Sequence, residues 1–230
     1  TSLYNTLYFV IFSVPLTTIA AIFISVLVNQ NLPGMKFFRT VFYLPAILSG
    51  VGVYLLWMQL LDPSTGLINS FLDLFGVSGP NWLFDAAWAK PSLILMKLWS
   101  AGGAMLLYLS AMQGISKTMY EAAVMEGASR VQMVFKVTLP MISPIIFFDV
   151  ITSTIGSFQI FQEAYIMSSD SAGSPENSLL FFNLHMWIKA FNVFDMGYAM
   201  AMSWILFIIV LILTLINFKF SKYWVHYEDD

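Results

Sequence analysis

Five long apolar runs separated by short polar stretches set the pattern of this chain. They cover residues 3–28, 40–61, 91–112, 140–167 and 194–218. A helix needs about 20 mostly apolar residues to cross the hydrocarbon core of a bilayer, so each run is predicted to be a spanning helix. Segments 62–90 and 168–193 are rich in Gly, Pro, Ser and Asn, the residues of irregular surface loops. Trp82, Trp88 and Trp187 fall near run ends, where amphipathic rings sit at a membrane–water interface. The stretch 116–140 stands apart. It is semi-polar and reads EAAVMEGASRVQMVFKVTLP from Glu121 onward.

Composition agrees with this pattern. Of 230 residues, 59% are hydrophobic and 10% charged, against about a quarter charged in soluble domains. A soluble fold of this length has too little interior to hide so much apolar surface. The fold class is therefore all-α membrane protein with about five transmembrane helices, residues 1–230 forming one transmembrane domain. A net charge of -3 without a basic stripe gives no basis for nucleic-acid binding, and membrane lipid is the expected surrounding. Cysteine is absent, which excludes a disulfide framework and thiolate chemistry. His185 and His226 are too far apart in sequence for a metal-ligand spacing. Thr1 opens directly into an apolar run with no initiator Met and no signal-peptide pattern. The expectation is that further residues, including one more span, lie upstream.

The basic residues orient the spans. Lys36 and Arg39 lie in the first connection, Lys117, Arg130 and Lys136 in the third, and Lys219 and Lys222 after the last run. The second connection carries Asp62, Asp73, Asp85 and Lys90, and the fourth Asp170, Glu176 and Lys189. The positive-inside rule assigns the first group, with stretch 116–140 and the C-terminus, to the cytoplasm.

Within 116–140, Thr118 with Glu121 fits a capping box, and Ser129 with Gln132 fits a second. Gly127 between them suits a left-handed turn. The prediction is helix, glycine turn, helix, projecting from the membrane face toward a groove in a partner. Ala122 and Ala123 are small enough for close backbone approach. Glu121 either pairs with a basic residue on that partner or caps its own helix.

These residues resemble the EAA loop of ABC-transporter permeases. The matched positions are Glu121, Ala122, Ala123, Gly127, Ala128, Phe135, Val137, Leu139, Pro140 and Pro144. Glu126 stands where Asp is usual, and Ser116 where many relatives have Pro. Other stretches are similar to carbohydrate importers of the maltose and glycerol-phosphate type: Asn5-Thr6-Leu7 with Pro15, Phe38-Arg39-Thr40 with Leu44-Pro45, Trp57 with Asp62-Pro63 and Gly66-Leu67-Ile68-Asn69, Asn81-Trp82-Leu83, residues 157–161, and Gly197-Tyr198-Ala199. The resemblance implies a six-span permease core that lacks its first span here. It also implies a second homologous permease, an ATPase dimer that binds ATP and Mg, and an extracytoplasmic solute-binding protein, all in a bacterial or archaeal cell membrane. ATPase coupling would fall to Glu121, Ala122, Ala123, Glu126, Gly127, Ala128, Leu139 and Pro140. The chain has no G-x-x-x-x-G-K-[ST] phosphate loop and so is not itself the ATPase. No catalytic, cofactor or metal site is expected in it.

Sugar recognition wants aromatic faces and hydrogen-bonding amides or carboxylates. The fourth run supplies Phe158, Gln159, Phe161, Gln162 and Glu163, and the third supplies Trp99 beside Lys97. Continuous helical spacing would put Gly156, Gln159 and Glu163 on one face. Asp149, deeper in the same run, is expected to line a path or to have a partner, because a charge at mid-membrane costs about 2.5–3.5 kcal/mol on insertion scales. Glycerol phosphate, a polyol or a uronate-containing oligosaccharide is an alternative cargo. An intramembrane enzyme lacks a catalytic constellation, and a secondary transporter leaves the EAA loop unexplained.

Overall fold

The computed structural model describes residues 1–30, 32–48 and 50–226. Its elements are helical: α1 (Ser2–Val28), α2 (Met35–Ile47), α3 (Val51–Leu60), α4 (Leu67–Asp73), α5 (Ala86–Trp99), α6 (Gly102–Gly114), α7 (Lys117–Met125), α8 (Arg130–Met133), α9 (Leu139–Met141), α10 (Ser143–Phe158), α11 (Gln162–Met167), α12 (Phe182–Trp187) and α13 (Met196–Ser221). Two wide π turns, Val134–Thr138 and Ile188–Asn192, connect α8 to α9 and follow α12. Among the described residues there is no strand.

Among the described residues, three helical stretches are long and apolar enough to cross a bilayer: α1, the 29-residue stretch Ala86–Gly114, and α13. Counting bent helix pairs as single spans gives up to five, the number read from the sequence. Span 91–112 breaks briefly at residues 100–101, between α5 and α6, and two other expected spans are more strongly interrupted. Residues 40–61 divide into α2, with Pro45 in its last turn, and α3, entered through Gly50 at φ 85°. Residues 140–167 begin at a 67° bend between Arg130–Met141 and Ser143–Phe158, end their helix at Phe158, and restart at Gln162. Backbone at 159–161 is non-helical, so Gly156, Gln159 and Glu163 do not share a helix face. Periodicity alone did not reveal this break, because the residues on both sides are apolar enough to continue a helix.

The chain forms two compact units. One comprises Thr1–Val14, Leu48–Trp99 and Thr154–Leu211. Its core gathers Trp57, Leu61, Leu93, Met167, Leu179 and Phe181. Asn5 anchors the first helix there: its amide nitrogen donates to the carbonyls of Asn177 (2.7 Å) and Leu180 (3.0 Å), and Lys90 Nζ donates to its oxygen (3.1 Å). The Thr6 hydroxyl accepts from the Phe182 amide at 2.9 Å. The loop after α3 is held by Asp62, whose Oδ1 accepts from the amides and hydroxyls of both Ser64 and Thr65 at 2.8–3.0 Å. Those bonds, the Thr65 amide foremost, hold its carboxyl at a pKa of about 2. Asp170 is likewise held at about 2, chiefly by the Ser168 hydroxyl. Further along, Trp82 Nε1 donates to Asn69 Oδ1 at 2.6 Å. The family-like stretches around Asn5, Asp62, Asn69 and Trp82 are thus loop-fastening contacts.

The other unit comprises Pro15–Ile47, Ser100–Ser153 and Ile212–Asp230. Its core contains Ala21, Met105, Tyr108, Met112, Ile142 and Ile146. Gly102 lets α6 approach α2 so closely that any side chain there would strike the Phe42 carbonyl oxygen. The tail after α13 returns to the start of α10: the His226 amide donates to Ser143 Oγ at 2.9 Å, and Phe147 packs edge-on against Phe218. All seven basic residues that the sequence assigned to one side, Lys36, Arg39, Lys117, Arg130, Lys136, Lys219 and Lys222, belong to this unit.

A Schellman-closed loop and a broken span as the candidate functional site

Residues 116–140 form the predicted helix, turn and helix. α7 starts after Ser116, so Thr118 lies inside the helix and is not its N-cap; the first of the two expected capping boxes is absent. Glu121 therefore does not cap its helix and is exposed to solvent. α7 ends at Met125 in a Schellman motif. The Gly127 amide donates to the Val124 carbonyl at 2.9 Å, and the Ala128 amide to the Ala123 carbonyl at 3.0 Å. Gly127 sits at φ 80°, the left-handed conformation this closure demands. The second box is complete: the Gln132 amide donates to Ser129 Oγ at 3.3 Å, and the Ser129 amide to Gln132 Oε1 at 2.7 Å.

Pro140 accounts for the wide turn that follows. It has no amide to donate, and in a regular helix its ring crowds the carbonyl four residues earlier; the π turn Val134–Thr138 accommodates both. Leu139 and Pro140 form the start of α9, at the bend into α10. None of the α7 residues is buried. Val124 and Met125 (89% exposed) present apolar surface there, as do Val131 and Phe135 (65%) beyond the turn. Ala122 is exposed, Ala123 and Ala128 are half-buried, and Glu126 is exposed.

In the first unit, the break after α10 groups several of the expected path residues. Gln159 and Gln162 are exposed. Glu163 lies beside Tyr54 on α3. The Asn183 side chain donates to the Gln159 carbonyl at 3.0 Å, satisfying backbone that the break leaves open. Phe161 stacks on Tyr165 at 5.7 Å, and Trp187 meets Tyr165 edge-on at 5.0 Å. Trp99 is partly exposed and packs edge-on against Trp57 at 5.7 Å. Phe158 is 0% exposed and offers no ring face to a cargo, contrary to the expectation from sequence. Asp149 has partners: Tyr108 donates to Oδ2 at 2.5 Å and Ser153 to Oδ1 at 3.4 Å.

No family model matches the chain. A probable ABC transporter permease protein, YesP of Bacillus subtilis, is 42% identical over 230 residues, which is 99% of this chain and 74% of that protein. The chain belongs to the ABC transporter permease family. A second relative, the lactose transport system permease protein LacF of Rhizobium radiobacter, is 33% identical across 96% of this permease and 75% of its own length. In solved structures, a bacterial ABC transporter involved in import of the polysaccharide alginate matches 96% of this chain with a TM-score of 0.86 at 24% identity, a likeness of fold. The permease is thus a multi-pass membrane protein and a transporter subunit rather than an enzyme.

Three residues of the permease escaped the sequence reading: Tyr108 beside Asp149, Tyr120 in α7, and Tyr165 beside the span break, where it meets Trp187. Each is an aromatic in an aromatic-rich chain, 17% by composition, so residue type carried no signal. The contact that gives each its role joins residues distant in sequence.

Proposed function

We propose that the permease is one of two homologous membrane subunits of an ATP-driven carbohydrate importer, coupled through residues 116–140 to a separate ATPase dimer. The exposed apolar surface of α7 and the turn carries this reading. Uncovered Val124, Met125, Val131 and Phe135 outside the membrane are unfavourable in water and need a protein partner. Coupling is assigned to Glu121, Ala122, Ala123, Glu126, Gly127 and Ala128, with Leu139 and Pro140 carrying motion into α10. ATP and Mg bind to the ATPase. The gathering of Lys36, Arg39, Lys117, Arg130, Lys136, Lys219 and Lys222 in one unit supports a cytoplasmic loop and C-terminus in a bacterial or archaeal cell membrane.

A solute-binding protein delivers cargo from outside, and alternating access passes it along a path that includes Trp99, Gln159, Phe161, Gln162 and Glu163. Broken helices are where transporters bring backbone and polar side chains to a substrate, and the break after Phe158 brings together exposed amides and an aromatic cluster. Relatives named for lactose, arabinooligosaccharides and trehalose/maltose favour a sugar or oligosaccharide. The second reading, glycerol phosphate, rests on a relative named for sn-glycerol-3-phosphate, 30% identical over 99% of this chain.

Purification from the native host in mild detergent, with a tag on this chain, tests the assembly. A second permease and an ATPase are expected. The pair Val124→Asp and Met125→Asp should release the ATPase and retain the second permease; retention of both would remove this surface from the interface. Gln159→Ala and Gln162→Ala should cut uptake with assembly intact, and unchanged uptake would remove them from the path.

A further inference from the structure

The helix α7 has no buried residue, yet it must pass force to the spans if it is the ATPase contact. Among the described residues, a side-chain hydrogen bond ties it to the chain beyond the glycine turn. The Tyr120 hydroxyl lies 3.0 Å from Thr138 Oγ1. Thr138 is buried, sits at the last position of the π turn, and donates to the Met133 carbonyl at 3.4 Å. Either hydroxyl can donate in the Tyr120–Thr138 bond. The relay runs from α7 through Thr138 to the end of α8. Beside it lies a cavity of about 580 Å³ lined by Tyr120, Arg130, Met133, Val134 and Thr138 among others. The cavity leaves one side of the bond without packing.

We infer that Tyr120 and Thr138 form a strut that makes α7 and the start of α10 move together. Both are positioning residues for coupling; neither touches cargo or nucleotide. Without the strut, α7 remains joined to α8 through the Gly127 turn, a left-handed glycine that can swivel, and displacement of α7 is absorbed there. The bond would then matter for transmission and not for docking. This rests on the ATPase-docking reading above.

The absence of cysteine supplies the test. Thr152 is exposed on α10, so Thr152→Cys in the complete transporter places one thiol in this chain on the far side of the bend. Maleimide labelling of this chain is followed with and without ATP, Mg and vanadate. ATP should change the labelling rate in that background. Tyr120→Phe or Thr138→Val should reduce the change roughly fivefold, the factor set by one net hydrogen bond, with ATPase retention unchanged. Thr138→Ser, which keeps the hydroxyl, should restore it. The double variant should be no worse than either single one, because both remove the same bond. An undiminished ATP response in both single variants would overturn the strut, as would additive losses, ATPase release by either variant, or no ATP response in the Thr152→Cys background. Failure of the docking reading itself is separate: the ATPase would be missing before any strut variant is made.

Discussion

The Ala128 amide donates to the Ala123 carbonyl over 3.0 Å, the outer of two bonds that close the turn between the two helices of the cytoplasm-assigned loop. It explains the spacing of the family pattern. Ala123 lies three residues before the cap Glu126, Gly127 takes the left-handed position, and Ala128 closes back onto Ala123. The run from Glu121 to Ala128 is a helix end written in sequence, and its exposed face is the candidate docking surface.

Gly127→Val should weaken ATPase binding. A branched side chain at φ 80° costs about 1–2 kcal/mol, roughly a 5- to 30-fold loss of affinity if the docked loop keeps this turn. Gly127→Asn should lose much less, since Asn tolerates that conformation. Titrating purified ATPase against the permease in nanodiscs would read both, and equal effects would exclude turn geometry as the cause.

The Tyr108–Asp149 pair should behave as a unit. Asp149→Leu strands the fully buried Tyr108 hydroxyl and should destabilise by about 1–3 kcal/mol. Adding Tyr108→Phe removes the stranded group and should recover most of that loss. Thermal melts of the detergent-solubilised protein complete the cycle; independent, additive losses would count against the pair.

Much of this was legible in the residues. The five apolar runs gave the spans because a bilayer demands length and hydrophobicity, which one residue at a time can supply. Ser129, Gln132 and Gly127 gave the turn because capping is local. Thr118 misled for the same reason: the pattern matched, but the helix starts earlier, after Ser116. The break after Phe158 and the burial of Phe158 depend on contacts with Asn183 and the core around it, which spacing does not encode.

Acid should loosen the loops held by Asp62 and Asp170. Both carboxyls are lowered from 3.8 to about 2 in the fold, so their contribution is present above the unfolded value and fades as pH falls through the folded one. Proteolytic nicking near Asp62 and Asp170 should increase between pH 4 and about 2, with α1 and α13 protected. Nicking independent of pH in that window would contradict the assignment.

Two adjacent glycines should differ sharply. At Gly102 a methyl group meets the Phe42 carbonyl, whereas at Gly103 it meets only Ala46 Cβ at 3.7 Å, an ordinary contact. Gly102→Ala should therefore cost about 1–3 kcal/mol in detergent melts, the range for overpacking, and Gly103→Ala almost nothing. Similar melts for the two would rule out the close α2–α6 approach.

The central claim is that α7 is the contact with the ATP-hydrolysing subunit. A single cysteine at Ala123, in a chain that has none of its own, with a short bifunctional cross-linker, tests it most directly in the intact transporter. The prediction is a cross-linked product containing this permease and the ATPase, absent when the cysteine is placed at the exposed Ser78 in the loop after α4. A complex that retains its ATPase but gives no such product from Ala123, Met119 or Met125 would contradict the account.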